Sequence, residues 1–196
     1  MKSDTTMFKG VPVVLFKTQK AWAAWLDKNH TKSSGVWLRL AKKGSEIKSV
    51  SYVEGVEVAL GYGWIDGQKE SYDSSSWLQK FTPRGTRSIW SKINREKAQE
   101  LIKSGQMKPA GLEAIEKARQ NGRWDAAYDS PSGSTVPRDF EAALDKSPAA
   151  KAFFATINRA NRYAILFRIQ TARKAETRAR RIKEFISMLE NKETLH

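Results

Sequence analysis

Ser51-Tyr52-Val53-Glu54-Gly55-Val56-Glu57-Val58-Ala59-Leu60-Gly61-Tyr62-Gly63-Trp64-Ile65-Asp66 is the stretch that decides the fold class. Ser51, with Glu54 three residues on, is a capping-box pattern: each side chain can take a backbone N–H at the start of a helix. Val53, Val56, Val58, Ala59 and Leu60 supply an apolar side. Gly61 and Gly63 stop the helix, and the bulky Trp64-Ile65-Asp66 that follows reads as a strand. Working outward, Val36 to Ala41 alternates and is bulky, which predicts a strand, and Lys42-Lys43-Gly44-Ser45 turns the chain. Trp77 to Phe81 predicts another strand, joined to Trp64–Asp66 by a polar loop holding Lys69, Glu70 and Asp73. Upstream, Ala21, Trp22, Trp25 and Leu26 share one helical face within Thr18–Asn29.

Beyond Phe81 the pattern turns helical. Asn94 is placed as an N-cap, with Ile93 and Ala98 as a hydrophobic staple, and Gly105 closes that helix. Pro109 fits the first position of the next helix, which ends at Asn121-Gly122. The Ser-, Thr-, Pro- and Gly-rich stretch from Asp129 to Val136 reads as a loop and a boundary. Helices are expected over about 138–146, 148–157, 159–172 and 175–190. The last carries Ala179, Ile182, Phe185, Ile186 and Leu189 on one side. The expected class is α+β: a small N-terminal sheet of three or four strands with flanking helices, followed by a mainly helical C-terminal half. The expected regions are 1–130 and 136–193.

The composition removes several chemistries. The chain of 196 residues has no cysteine, which excludes disulfides, thiolate catalysis and Cys-ligated zinc. Its two histidines, His30 and His196, form no metal-binding helix pattern and stand beside no activated serine. No phosphate-binding glycine loop is present, and no cofactor or metal is expected. No apolar run reaches the roughly 20 residues of a membrane span. No secretory pattern opens the chain, and a cytoplasmic location is expected. The net charge is +14, concentrated in blocks 1–48, 81–108 and 158–196 and separated by the mildly acidic 49–80 and 109–157. Such a field favours polyanionic partners, nucleic acid or acidic protein.

Two groups of candidate site residues follow. Asp66 and Arg84 lie at predicted strand ends among Trp64, Phe81 and Trp90. Trp64, Asp66, Arg84, Trp90 and Asn94 are therefore candidate ligand-binding residues. Asp66 and Arg84 fit a structural ion pair and also fit the floor of a polar pocket. Arg173, Lys174, Arg178, Arg180 and Arg181 form the densest basic run, a candidate anion-binding face. Its alternative is a solvated helix face whose arginines pair with Glu176, Glu184 and the acidic residues of 139–145.

Several motifs in order carry a resemblance. They are Gly61-Tyr62-Gly63-Trp64-Ile65-Asp66-Gly67, Phe81-Thr82-Pro83-Arg84, Ser88-Ile89-Trp90-Ser91-Lys92-Ile93-Asn94, Met107-Lys108-Pro109-Ala110-Gly111-Leu112 and Gly122-Arg123-Trp124-Asp125-Ala126-Ala127-Tyr128. In the last third, Val136-Pro137-Arg138-Asp139-Phe140, Ser147 to Phe154 and Ala172 to Ile182 continue the series. Over roughly residues 20–192 the chain resembles the YdeI/OmpD-associated family of bacteria, also called bacteriocin-protection proteins. Many members of that family have proline where this chain has Ala175, which implies a smoother join between the last two helices here. The resemblance implies a cytoplasmic protein of stress response or bacteriocin protection, and it implies no reaction. A chain this basic does not neutralise cationic peptides by charge, so protection would run through a partner or through regulation. Two other classes stand beside it: a nucleic-acid or anionic-surface binder, and, less favoured, a small-molecule enzyme using Asp66 and Arg84.

Overall fold

The capping box forms as the sequence requires. In a computed structural model that describes residues 6–196, the Ser51 hydroxyl accepts from the Glu54 N–H and the Glu54 carboxylate accepts from the Ser51 N–H. Those bonds hold the Glu54 carboxyl below its usual range. The helix they start, α2 (Tyr52–Gly61), is one of two that pack on the sheet. The other, α1 (Gln19–Asn29), is capped by the Thr18 hydroxyl, which accepts from Ala21 N–H.

Among the described residues the sheet has five strands, in the order β1-β2-β3-β5-β4. They are β1 (Met7–Phe8), β2 (Val11–Val14), β3 (Val36–Ala41), β4 (Trp64–Ser71) and β5 (Ser76–Pro83). Sequence predicted three or four. The two extra strands make an antiparallel hairpin, and β2 then runs parallel to β3 through α1 as crossover. Lys69 and Glu70, expected in a loop, lie in β4. A register shift between Asp66 and Lys69 lets the strand continue through its polar residues.

The core between sheet and helices is aromatic. Trp22, Trp64 and Phe81 are fully buried, with Trp22 and Phe81 5.8 Å apart and Trp22 stacked on Trp25 at 5.4 Å. A buried indole needs a partner for its N–H. Trp22 donates to the Gly55 carbonyl and Trp64 to the His30 carbonyl.

Helices follow: α3 (Lys92–Lys103), α4 (Pro109–Gln120), α5 (Arg138–Asp145), α6 (Pro148–Thr156), α7 (Arg159–Gln170) and α8 (Ala175–Glu190). Two corrections apply. Because α3 begins at Lys92, Asn94 stands inside its first turn and does not cap it, and Ile93 is 46% exposed and is no staple. The join of α7 to α8 falls where the sequence placed it, just before Ala175. Residues 171–174 separate the two helices, and two arginines of α8 bond carbonyls in the last turn of α7, as described below. No helix among the described residues is long and apolar enough to cross a membrane.

The chain divides into two compact units. One contains residues up to Ser88 together with Asn94–Asp125. The other contains Ile89–Ile93 and Ala126–His196. The second has its own core of Phe140, Leu144, Phe154, Ile165, Leu166, Ile169, Phe185 and Leu189, in which Phe140 meets Phe154 edge to face at 5.4 Å.

In the first unit, α4 starts hard against the end of α2. The Lys108 N–H donates to the Gly61 carbonyl at 3.0 Å. Gly63 adopts φ +71°, and a Cβ there would stand 2.7 Å from the Ala110 carbonyl oxygen. A Cβ on Gly111 would run into Met107 Sδ and the Gly61 carbonyl. Alanine at 111 gains about 1 kcal/mol of helix propensity, but overpacking against backbone costs about 1–3 kcal/mol, and more where nothing can yield. Gly111→Ala is therefore expected to lower the urea midpoint. Gly67→Ala, whose Cβ would meet only the Lys80 carbonyl at 3.9 Å, should stay within about 0.5 kcal/mol of wild type. Equal stability of both variants would contradict this packing.

Candidate functional site

Asp66 lies on β4 opposite Phe81 of β5, on the side of the sheet that α2 covers. Its carboxylate accepts from the Tyr52 hydroxyl at 2.7 Å. Tyr52 is the first residue of α2 and is 41% exposed. Held this way, its ring sits 6.1 Å from that of Trp77 on β5. Lys69, two places before Ser71 in β4, lies on the same face, because Ser71 pairs with Trp77 and Lys69 with Gln79. Its ammonium stands 4.6 Å from the Trp77 ring centroid, a cation–π distance.

Beside Trp77 opens a groove of about 540 Å³ lined by Ala41, Lys42, Lys43, Lys69, Glu70, Ser71 and Trp77. The lysines follow from local structure. Lys42 and Lys43 begin the turn after β3. The Lys42 ammonium donates to the Asp73 carbonyl at 2.6 Å. Asp73 builds the β4–β5 turn: one carboxylate oxygen takes the N–H groups of Ser75 and Ser76 and the Ser76 hydroxyl, and the other takes Arg39 Nη2. The Ser76 hydroxyl first, then these backbone donors and the Arg39 charge, hold the Asp73 carboxyl below its ordinary value. The groove thus sets a half-buried indole among lysines, and aromatic rings beside basic side chains are what stacking bases and phosphates require.

The other candidates go elsewhere. Trp64 belongs to the core. Arg84 donates its backbone N–H to the Gly63 carbonyl, and its guanidinium Nε and Nη2 are shielded from solvent. Trp90 is buried in the second unit, while Asn94 belongs to the first. The carboxylate of Asp66 serves Tyr52, so the expected Asp66–Arg84 pair gives way to an Asp66–Tyr52 pair. Alternation explains this. Asp66 and Phe81 share the helix-covered face, and Arg84 falls at the odd position one residue past β5.

The basic run is largely spent inside the fold. Arg178 grips Asp139 with two nitrogens, at 2.6 and 2.8 Å, and donates a third to the Ile169 carbonyl at 2.8 Å. Arg181 donates to the Arg168 carbonyl. Both thus reach carbonyls of the last turn of α7, where cations suit the helix dipole; the Ile169 carbonyl also accepts from the Ala172 N–H. Arg180 pairs with Glu184 one turn on. Arg178 and Arg180 thus pair with Asp139 and Glu184, as in the alternative of a helix face paired with those acidic residues. Arg173 and Lys174 are exposed just before α8.

Two polar centres lay outside the sequence reading. Tyr62 donates to Asp27 at 2.6 Å, and burial together with that carboxylate raises its phenol above the ordinary range. In the second unit, Asp129 gathers four bonds. Lys92 Nζ donates to Oδ1 at 2.5 Å and Gln170 Nε2 to Oδ2 at 2.6 Å. Gln170 Oε1 accepts from the Asp129 N–H, and Tyr163 donates to the Asp129 carbonyl. Ser91 bridges Tyr128 alongside, with Tyr128 N–H donating to Trp90 and Lys92 N–H to Tyr128. Burial pushes the Asp129 carboxyl up, but the bonds from Lys92 and Gln170 and the Lys92 charge lower it by more. No spacing rule marks this centre, since its members come from three separate segments.

Residues 14–114 match the model of a domain of unknown function, DUF8412, and residues 134–192 match the model described as Bacteriocin-protection, YdeI or OmpD-Associated. The chain belongs to the DUF8412 family, and its C-terminal part carries the YdeI/OmpD-associated segment. The lysine-edged groove lies in the DUF8412 part, and the arginine grips on α7 lie in the YdeI/OmpD-associated part. No curated protein and no solved structure matches the chain.

The Asp129 centre gives a signed pH prediction. A carboxyl depressed in the folded state adds stability above its unfolded pKa and loses it as pH falls through the folded value. Asp129→Asn should cost about 1–3 kcal/mol at pH 7. The gap to wild type should narrow as pH drops below about 4. Urea unfolding at both pH values measures it, and a gap that does not change with pH would contradict the charge–charge role given to Lys92.

Proposed function

We propose that the chain is a cytoplasmic protein of the stress- or bacteriocin-protection type that works by binding single-stranded nucleic acid at the lysine-edged groove of its DUF8412 part. One observation carries the reading: Trp77, with the Tyr52 ring 6.1 Å away, lines a groove that Lys42, Lys43 and Lys69 also line. Asp66 is then a positioning residue, which holds the Tyr52 ring where a base can stack beside it. The protection role is supported by the description of the family matched by residues 134–192. The net charge of +14 supports an anionic partner and opposes direct capture of cationic peptides.

Binding is expected to be weak, indifferent to base sequence and steeply salt-dependent. Each phosphate contact on a single strand contributes a slope of about 0.7 in log affinity against log salt. Replacing Lys42, Lys43 and Lys69 together by Gln should therefore reduce the slope by about 2 for a labelled thymidine oligomer followed by anisotropy. Tyr52→Ala should weaken binding by the stacking contribution of about 1–3 kcal/mol while leaving the slope alone. A slope unchanged in the triple variant, or no binding at low salt, would overturn the assignment.

A further inference from the structure

Helix α7 of the YdeI/OmpD-associated part carries a second groove, of about 680 Å³, lined by Pro131, Arg159, Ala160, Tyr163, Ala164, Phe167, Arg168 and His196. Residues 160, 163, 164 and 167 fall on one face at helical spacing. The two alanines keep its floor low, and the two rings make its wall. That wall is fixed. The Tyr163 hydroxyl is bonded to the Asp129 carbonyl at 3.1 Å, and Phe167 is braced edge to face by Tyr128 at 4.9 Å.

The opposite side is the chain segment at Leu195 and His196. Buried Asn161 takes both of their N–H groups and donates to the His196 carbonyl. The walls are therefore set before any ligand arrives, and the volume falls in the range of small-molecule sites.

Two arginines are among the lining side chains. Arg159 stands in the first turn of α7, where the helix dipole also favours an anion. Arg168, two turns on, donates one nitrogen to the Ala164 carbonyl at 3.2 Å, and a guanidinium has five N–H donors in all. No lining side chain among the described residues is a carboxylate.

We infer that this groove binds a small amphipathic anion, a free carboxylate with an alkyl or aromatic body. The body lies on Ala160, Ala164 and the two rings, and the head group pairs with Arg159 or Arg168. The site is separate from the lysine-edged groove and calls for a different ligand, with one charge and an apolar body rather than a phosphate chain.

Titration calorimetry of the full chain with laurate, below its micellar concentration, tests this. Laurate should bind with a dissociation constant on the order of 10–100 µM, and dodecanol at least about tenfold more weakly. Ala160→Trp fills the groove from an exposed position and should abolish binding. Arg159→Gln combined with Arg168→Gln should weaken laurate about tenfold and leave dodecanol unchanged. Circular dichroism checks that each variant is folded, and the two variants act by different routes, so misfolding of one leaves the other as the test. No laurate binding, equal affinity for acid and alcohol, undiminished binding in a folded variant, or association only with anionic lipid vesicles would each overturn the inference.

Discussion

The carboxylate of Asp129 is the point on which the C-terminal unit closes. It is 9% exposed and bonded by Lys92 and Gln170, so segment 89–93, the stretch after Ala126 and helix α7 meet at one group. A buried carboxylate without such partners would be costly. With them the backbone at Asp129 is held in place, and its carbonyl takes the Tyr163 hydroxyl while the neighbouring Tyr128 ring braces Phe167 on the wall of the groove along α7. Two arginines of α8 fasten the same C-terminal end of α7: Arg178 bridges the Ile169 carbonyl to Asp139, and Arg181 bonds the Arg168 carbonyl. Much of what makes this sequence look like a binding surface is, in the C-terminal unit, internal fastening.

Elements with a local cause were legible. The Ser51–Glu54 box, the Thr18 cap, Pro109 at the first position of α4 and the stripe from Ala179 to Leu189 each specify a helix through interactions within a few residues. The β1–β2 hairpin was not legible. Its strands are two and four residues long, one contains Pro12, and the pairing of β2 with β3 spans a helix. Proline within a run lowers the strand signal. The extension of β4 through Lys69 and Glu70 also escaped, because a register shift and cross-strand partners override the low strand propensity of those residues.

The site divides along the same line. Asp66 stood out by position, yet its partner is Tyr52, fourteen residues away at the start of a helix, and not the arginine near it in the strand pairing. Strand alternation was the signal that could have shown this, because it puts Asp66 and Arg84 at positions of unlike parity. Trp77 and the lysines around it were legible as residue types, but their convergence depends on the register of β4 and β5. The arginine run showed its charge in the sequence and hid its use, since only the folded chain reveals that α7 ends within reach of Arg178 and Arg181.

Closure of the C-terminal unit requires Asp129 to be an ionised, bonded carboxylate in the native state, and a carbon-detected NMR titration of its side chain reads that directly. The midpoint should lie below the ordinary aspartate value of about 3.9, and it should rise when Lys92 is replaced by Gln. A midpoint at or above the ordinary value, unmoved by that replacement, would show that the carboxylate does not hold the C-terminal unit together.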